Sequence, residues 1–346
     1  MANVRRIAKR AGVSITTVSR VLNNHQHVSE ETRQRVLTAS TELSYNQLVG
    51  RKSGNNIAYV YTGEPSPSSP FDMAILEGIQ LGLQDSNYEL MIIEAERARL
   101  PNETHAQMFL RKGVCGAILR TTMRSHDECE RIAEDDFPSV VVADHFANPK
   151  VNFVRCDAHN ACRDAVDYLV GLGHRQIAFC MNIVDDTDKL DRLAAYRQAI
   201  EAHGITFDER MVMRVPANRD GGVHLLRRLA AAPSRPTALF MADPLPVVGV
   251  LAEARRIGML IPQELSVLGF DDKDLRLTVV PQLTAVCQDA VALGREALAA
   301  LTSIIQRENS ALPSIQKTLR CWLEIHETTA APNIALKMMP APASLV

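Results

Sequence analysis

The chain has 346 residues, 46% of them hydrophobic and 23% charged, with a net charge of −2. That length suits two or three domains with sizeable apolar cores that need no disulfides. The small net charge hides an asymmetry: residues 1–55 hold nine Lys or Arg against three Glu, +6, so the remainder carries −8. A basic head implies a polyanionic partner, and an acidic body implies something else.

The seven cysteines, Cys115, Cys129, Cys156, Cys162, Cys180, Cys287 and Cys321, include no C-x-x-C and no His at zinc-like spacing. They read as small buried hydrophobes in a reducing compartment. The start, MANVRRIAKRAGV, lacks the apolar region of an export signal, and no run of about 18 apolar residues occurs. A soluble, cytoplasmic protein is expected, with no membrane partner, no metal and no cofactor.

Three short helices are expected first. Val4, Ile7, Ala8 and Ala11 form an apolar stripe at i, i+3, i+4, i+7, and Gly12 breaks it. Ser14 is placed to cap a second helix that buries Val18, Val21 and Leu22. A third starts at Ser29, with Glu30 and Glu31 near its positive dipole end, and buries Val36, Leu37 and Leu43. A polar, basic linker, residues 46–56 (NQLVGRKSGNN), follows this 1–45 domain.

From Ile57 short β-rich runs alternate with helical stretches. The strands are expected at 57–61, 88–93, 114–119, 139–144, 176–180, 237–241 and 265–270, and helices at 72–85, 160–172, 192–203, 222–231 and 247–257. That alternation means βαβ units and parallel sheets, an α/β fold. Because about 270 residues is large for one sheet, two similar lobes are expected: about 57–157 with 289–314, and about 158–286 with 315–327. The Pro/Ala-rich residues 328–346 are expected to be a disordered tail.

A first helix of two turns, a Gly-containing turn and a second helix with a polar outer face make a helix-turn-helix, and VRRIAKRAGVSITTVSRVLN supplies these parts. This stretch resembles, nearly position by position, the N-terminus of the lactose/galactose repressor family, and HVSEETRQRVLTASTELSY continues the match. GHRQIAF (173–179), Arg192 to Tyr196, IPQELSVLGFDD (261–272) and Pro281 to Gln288 look like successive landmarks of that family's effector domain. The resemblance covers about residues 3–327. It implies a transcription regulator, with a helix-turn-helix joined to a two-lobed periplasmic-binding-protein-like domain that holds a small polar metabolite, a sugar or derivative, between its lobes. Its partners would be double-stranded operator DNA, that effector and a second copy of itself.

On the recognition helix Ile15, Thr16, Ser19 and Arg20 lie opposite the buried face and are expected to read base edges. Arg20 is open to a second reading, as a phosphate contact or a solvated charge. Ser14, Thr17, Asn23, His27, Arg51 and Lys52 are expected at phosphates, fixing register. Arg5, Arg6, Lys9 and Arg10 fit nonspecific, salt-sensitive attraction. The family's pocket positions correspond here to Asp144, Arg192, Asp243, Asp271 and Gln288; Arg192 and Asp271 are also open to pairing with each other.

Several departures from the family pattern stand out. Arg6 replaces an acidic residue. The Asn-Asp pair after TALFM is here Asp243-Pro244, with Pro246 close behind, and Pro216 stands where many members place an aromatic platform. Relatives carry a hinge segment of about fourteen residues whose Leu wedges into the minor groove. Here eleven residues separate Tyr45 from Ile57, and Gly54 stands where that Leu aligns. An enzyme is disfavoured, because no G-x-S-x-G, H-E-x-x-H, Walker loop or G-x-G-x-x-G occurs. The acidic cluster Asp185, Asp186, Asp188 and Asp191 reads as a solvated loop before it reads as a metal site.

Overall fold

In a computed structural model of the chain, the residues described are 2–22, 25, 28–42, 55–64, 69–306 and 313–333. Helices α1 (Ala2–Ala11), α2 (Ile15–Leu22) and α3 (Glu30–Glu42) close on a small core of Ile7, Ala8, Ala11, Val18, Val21, Val36 and Leu37. Gly12 has a left-handed φ of 65°, the reason for glycine at this turn. Arg35 of α3 clamps the same turn, donating to the Ala11 carbonyl at 2.7 Å.

The rest continues as β1 (Asn56–Tyr61), α4 (Pro70–Leu83), β2 (Glu89–Glu94), α5 (Ala95–Ala98), α6 (His105–Arg111), β3 (Val114–Arg120), α7 (His126–Glu134), β4 (Ser139–Val142) and β5 (Phe153–Asp157). Then follow α8 (His159–Gly171), β6 (Ile177–Asn182), α9 (Thr187–Ala202), β7 (Val212–Val215), α10 (Arg219–Ala231), β8 (Ala238–Met241), α11 (Pro244–Ile257) and β9 (Ser266–Asp271). The last elements are α12 (Leu275–Thr278), β10 (Thr284–Cys287), α13 (Ala290–Gln306), β11 (Gln316–Arg320) and β12 (Trp322–Glu324).

The chain divides into two units. The first takes the described residues of 1–67, 75–155 and 291–317; the second takes those of 68–74, 156–290 and 318–346. The first sheet runs β2-β1-β3-β4-β5-β11 and the second β7-β6-β8-β9-β10-β12. In each, the first five strands in chain order are parallel and arranged 2-1-3-4-5; β12 pairs antiparallel with β10. That doubly wound order has its switch point between β1 and β3, and again between β6 and β8. Helices cover both faces, so β3, β8 and β9 are buried almost end to end and read as continuous apolar runs.

Close helix pairs repeat in the two units. A Cβ on Gly78 would lie 1.9 Å from the Val291 carbonyl oxygen, and one on Gly294 would lie 2.1 Å from that of Ile75. In the second unit a Cβ on Gly222 would lie 1.8 Å from the Pro246 oxygen, and one on Gly249 1.9 Å from that of Arg219. Reciprocal glycines thus let backbone meet backbone at these crossings, and they fix where α11 begins.

Two expectations are corrected. Residues 328–330 do not belong to a free tail. Thr328 is fully buried, its hydroxyl accepts from the Thr284 amide at 2.9 Å, and the Val267 amide donates to its carbonyl. The buried His174 ring reaches the Ala330 carbonyl at 2.9 Å, while its other nitrogen meets Thr237. Apolar periodicity could not signal a segment held by hydroxyls and a histidine. Helix α9 also begins five residues before the expected Arg192, because Asp186 caps it by accepting from the Lys189 amide at 2.9 Å. The short strands β5, β7, β10, β11 and β12 escaped sequence reading; several are brief and carry charges.

Candidate functional site

The basic domain exposes Ile15, Thr16, Ser19 and Arg20 on one side of α2 while Val18 and Val21 are buried. Ile15 is 49% exposed, a large apolar side chain left in water at the helix's first turn. The Thr17 amide donates to Ser14 Oγ at 3.0 Å and the two hydroxyls lie 2.8 Å apart, so both residues build the helix N-cap. Arg5, Arg6, Lys9 and Arg10 are exposed on α1. Asn23, His27, Arg51, Lys52 and the whole hinge question at Leu48 and Gly54 lie outside the described residues.

In the second unit, polar side chains gather at the carboxyl ends of β6, β8, β9 and β10, where a doubly wound sheet binds ligands. Arg192 rises from α9 with its guanidinium carbon 3.7 Å above the Phe270 ring. Its Nη1 donates to the Ala242 carbonyl at 2.8 Å and its Nη2 to Gln288 Oε1 at 3.3 Å. Gln288 in turn donates through Nε2 to Asp272 Oδ1 at 2.6 Å. Lys189 pairs with Asp186 and stands 3.8 Å from Asp243 Oδ1.

Three atoms of this cluster are buried with no hydrogen-bond partner in the protein: Arg192 Nε, Asp243 Oδ2 and Asp272 Oδ2. Buried polar groups are nearly always satisfied, so three orphans in one cluster call for an explanation. Burial pushes the Asp272 carboxyl up to about 6, against the pull of Gln288 and Arg192, and the carboxylates of Asp271 and Asp243 add to the rise. Burial raises Asp243 too, with Lys189 opposing. Burial works against the Arg192 cation, yet the carboxylates of Asp188, Asp272 and Asp186 keep its pKa above the usual value.

Asp271 is placed differently. Its carboxylate turns into its own loop, accepting from the amides of Lys273, Leu275 and Arg276 at 3.3, 3.0 and 3.2 Å and pairing with Arg276 Nη1 at 2.8 Å. The pairing weighed for it with Arg192 is taken by Arg276, which also holds Glu324. Asp144 belongs to the first unit. It follows Ala143, a non-glycine residue at φ 59°, and its buried Oδ1 accepts from the His145 amide at 2.7 Å. Backbone strain of this kind collects where a side chain must be aimed. Pro216 is exposed at the end of β7.

The structure therefore brings Arg192, Asp243 and Gln288 together, and adds Asp272, Lys189 and Asp186. Two adjacent aspartates cannot be ranked from sequence; the available signal was Arg276, five residues on, able to occupy Asp271. Among the acidic residues 185–191, Asp186 caps α9 and Asp185 pairs with Arg214 at 2.6 Å. Among the described residues no group of His, Cys, Asp and Glu could hold a metal ion, and no helix is long and apolar enough to cross a membrane.

Residues 3–47 match the model of bacterial regulatory proteins of the lacI family, and residues 166–322 match that of the periplasmic binding protein-like domain. The transcriptional repressor CytR of Escherichia coli (strain K12) is 30% identical over 335 residues, 95% of this chain and 97% of CytR. The transcriptional regulator DegA of Bacillus subtilis (strain 168) is 29% identical over 299 residues, 84% of this chain and 87% of DegA. A solved complex of the transcriptional regulator CelR with cellobiose superposes with a TM-score of 0.69 and 27% identity, covering 94% of this chain and 99% of that one. A chain with the helix-turn-helix and binding-protein-like fold described above is a DNA-binding regulator of transcription, not an enzyme. This one belongs to the lacI family of bacterial regulatory proteins.

Proposed function

We propose that this protein is a cytoplasmic repressor that binds a near-palindromic operator as a homodimer and answers to a small polar metabolite, a sugar or derivative. The observation that carries the effector reading is the trio of buried, unpartnered atoms on Arg192, Asp243 and Asp272. They offer one donor and two acceptors, the pattern that fixes a polyhydroxylated ligand. Gln288 positions Asp272, while Asp271 shapes the loop beside it. Asp144 is the contribution that the family resemblance implies for the opposite lobe of the cleft. CelR, seen with cellobiose, favours the same ligand class.

Base reading falls to Ile15, Thr16, Ser19 and Arg20, with Ser14, Thr17, Asn23, His27, Arg51 and Lys52 at phosphates. One helix-turn-helix spans few base pairs, so two-fold symmetry is needed for specificity. Exposed apolar side chains support a self-association surface: Leu81 and Ile92, the latter 58% exposed on edge strand β2, in the first unit, and Leu277 and Val280 in the second.

The test measures operator binding with and without a metabolite extract. Arg192→Ala is expected to lose the effector response and keep operator affinity within a few fold, because the sites are coupled but separate. Joint loss of folding and DNA binding would overturn the effector reading, and a tetramer by sedimentation at micromolar concentration would overturn the dimer.

A further inference from the structure

We infer that the effector carries a basic nitrogen, an amine on a polyhydroxylated frame of the amino-sugar class, and that Asp243 and Asp272 hold it. This rests on the effector reading above and narrows it.

Asp243 occupies the N-cap position of α11, where an aspartate ordinarily accepts from the second or third helical amide. Here Pro244 and Pro246 fill the first and third helical positions, and proline has no N–H. The side chain makes no capping bond. Pro246 thus removes one of the two capping amides, Leu245 at the second position keeps its N–H without bonding the carboxylate, and the Gly222 contact with the Pro246 carbonyl holds the turn in place. One oxygen of Asp243 stands near Lys189, and the other is an orphan.

Asp272 repeats the arrangement. It is 4% exposed, one oxygen accepts from Gln288, and the other is an orphan. A carboxylate can only accept, so both orphans require donors.

Charge then separates the donors. Asp186 engages Lys189, which leaves Asp243 and Asp272 beside Arg192, one more negative group than positive. Hydroxyls would satisfy the orphan oxygens but leave that excess buried. An ammonium supplies three donors and neutralises charge, and such bonds are about twice as strong as neutral ones. A phosphate or carboxylate on the ligand would add to the excess. Arg192 Nε, orphaned while its guanidinium is held over the Phe270 ring, takes an oxygen of the ligand.

The test uses the full-length protein and matched probes at pH 7.5: D-glucosamine, D-galactosamine and D-mannosamine, each beside its parent hexose, N-acetyl derivative and 6-phosphate. Thermal shift against concentration is the readout. At least one amine is expected to bind about tenfold or more tightly than its parent and N-acetyl partners, with the 6-phosphates weakest. Asp243→Asn should bring amine and parent within about threefold of each other. It should also raise the melting temperature of the ligand-free protein, since an uncompensated charge is removed. Parents or phosphates binding as well as amines, no amine shifting the wild type, or a ligand-free Asp243→Asn less stable than wild type would each overturn the amine class. Neutral hexoses that bind wild type but not Arg192→Ala would leave the effector site standing while the amine class falls. Amines that bind wild type and Arg192→Ala alike would remove the site itself.

Discussion

Replacing Asp272 by Asn removes a buried charge but keeps an oxygen for Gln288, so ligand-free stability should rise while effector binding falls. The folded carboxyl stands at about 6 against an ordinary 3.8, with only 4% of the residue exposed. At about 1.4 kcal/mol per pH unit, holding it ionised costs about 3 kcal/mol; allowing for the lost attraction to Arg192, a gain of about 1–3 kcal/mol is expected at pH 7.5. The sign follows from linkage. A carboxyl whose folded pKa lies above its unfolded one contributes stability that is fully present below pH about 4 and is lost as pH rises through about 6. Urea unfolding of the ligand-free protein at pH 7.5 and pH 5 should therefore show the variant ahead at the higher pH, with the gap about halved at the lower. A variant less stable than wild type at both values would refute the reasoning, because Asp272 would then be a structural partner of Arg192.

Arg20→Ala should cost about 1–3 kcal/mol of operator affinity and relax preference at one base pair per half-site; uniform loss across operator variants with a shallower salt slope would make Arg20 a phosphate contact. Gly222→Ala should destabilise by about 1–3 kcal/mol or more despite its better helix propensity, since its Cβ would meet the Pro246 carbonyl; a raised melting temperature would argue against the glycine crossing. A bend assay should find a straighter operator than a wedge-inserting regulator gives, with binding leaning on Arg51 and Lys52; a sharp central kink lost in Leu48→Ala would show a displaced wedge.

Sequence alone determined the helix-turn-helix, because its turn glycine, caps and apolar stripe are local and its exposed face is what remains outside. It also determined the α/β alternation, since strands buried on both faces are near-continuous apolar runs. The tertiary structure decided what depends on atoms distant in the chain. Asp271 and Asp272 are neighbours of identical chemistry, and only the fold shows that Arg276 and three loop amides take the first while Gln288 turns the second toward Arg192. Residues 328–330 look like a tail until His174, Ser266 and Thr284, up to 156 positions away, supply their hydrogen bonds. Asp243-Pro244 reads as an irregular helix start in sequence. In the fold Asp243 takes the cap position without capping, Pro246 has no amide to offer it, and its carboxylate stands beside Lys189, because satisfaction of a buried polar atom is a property of everything around it.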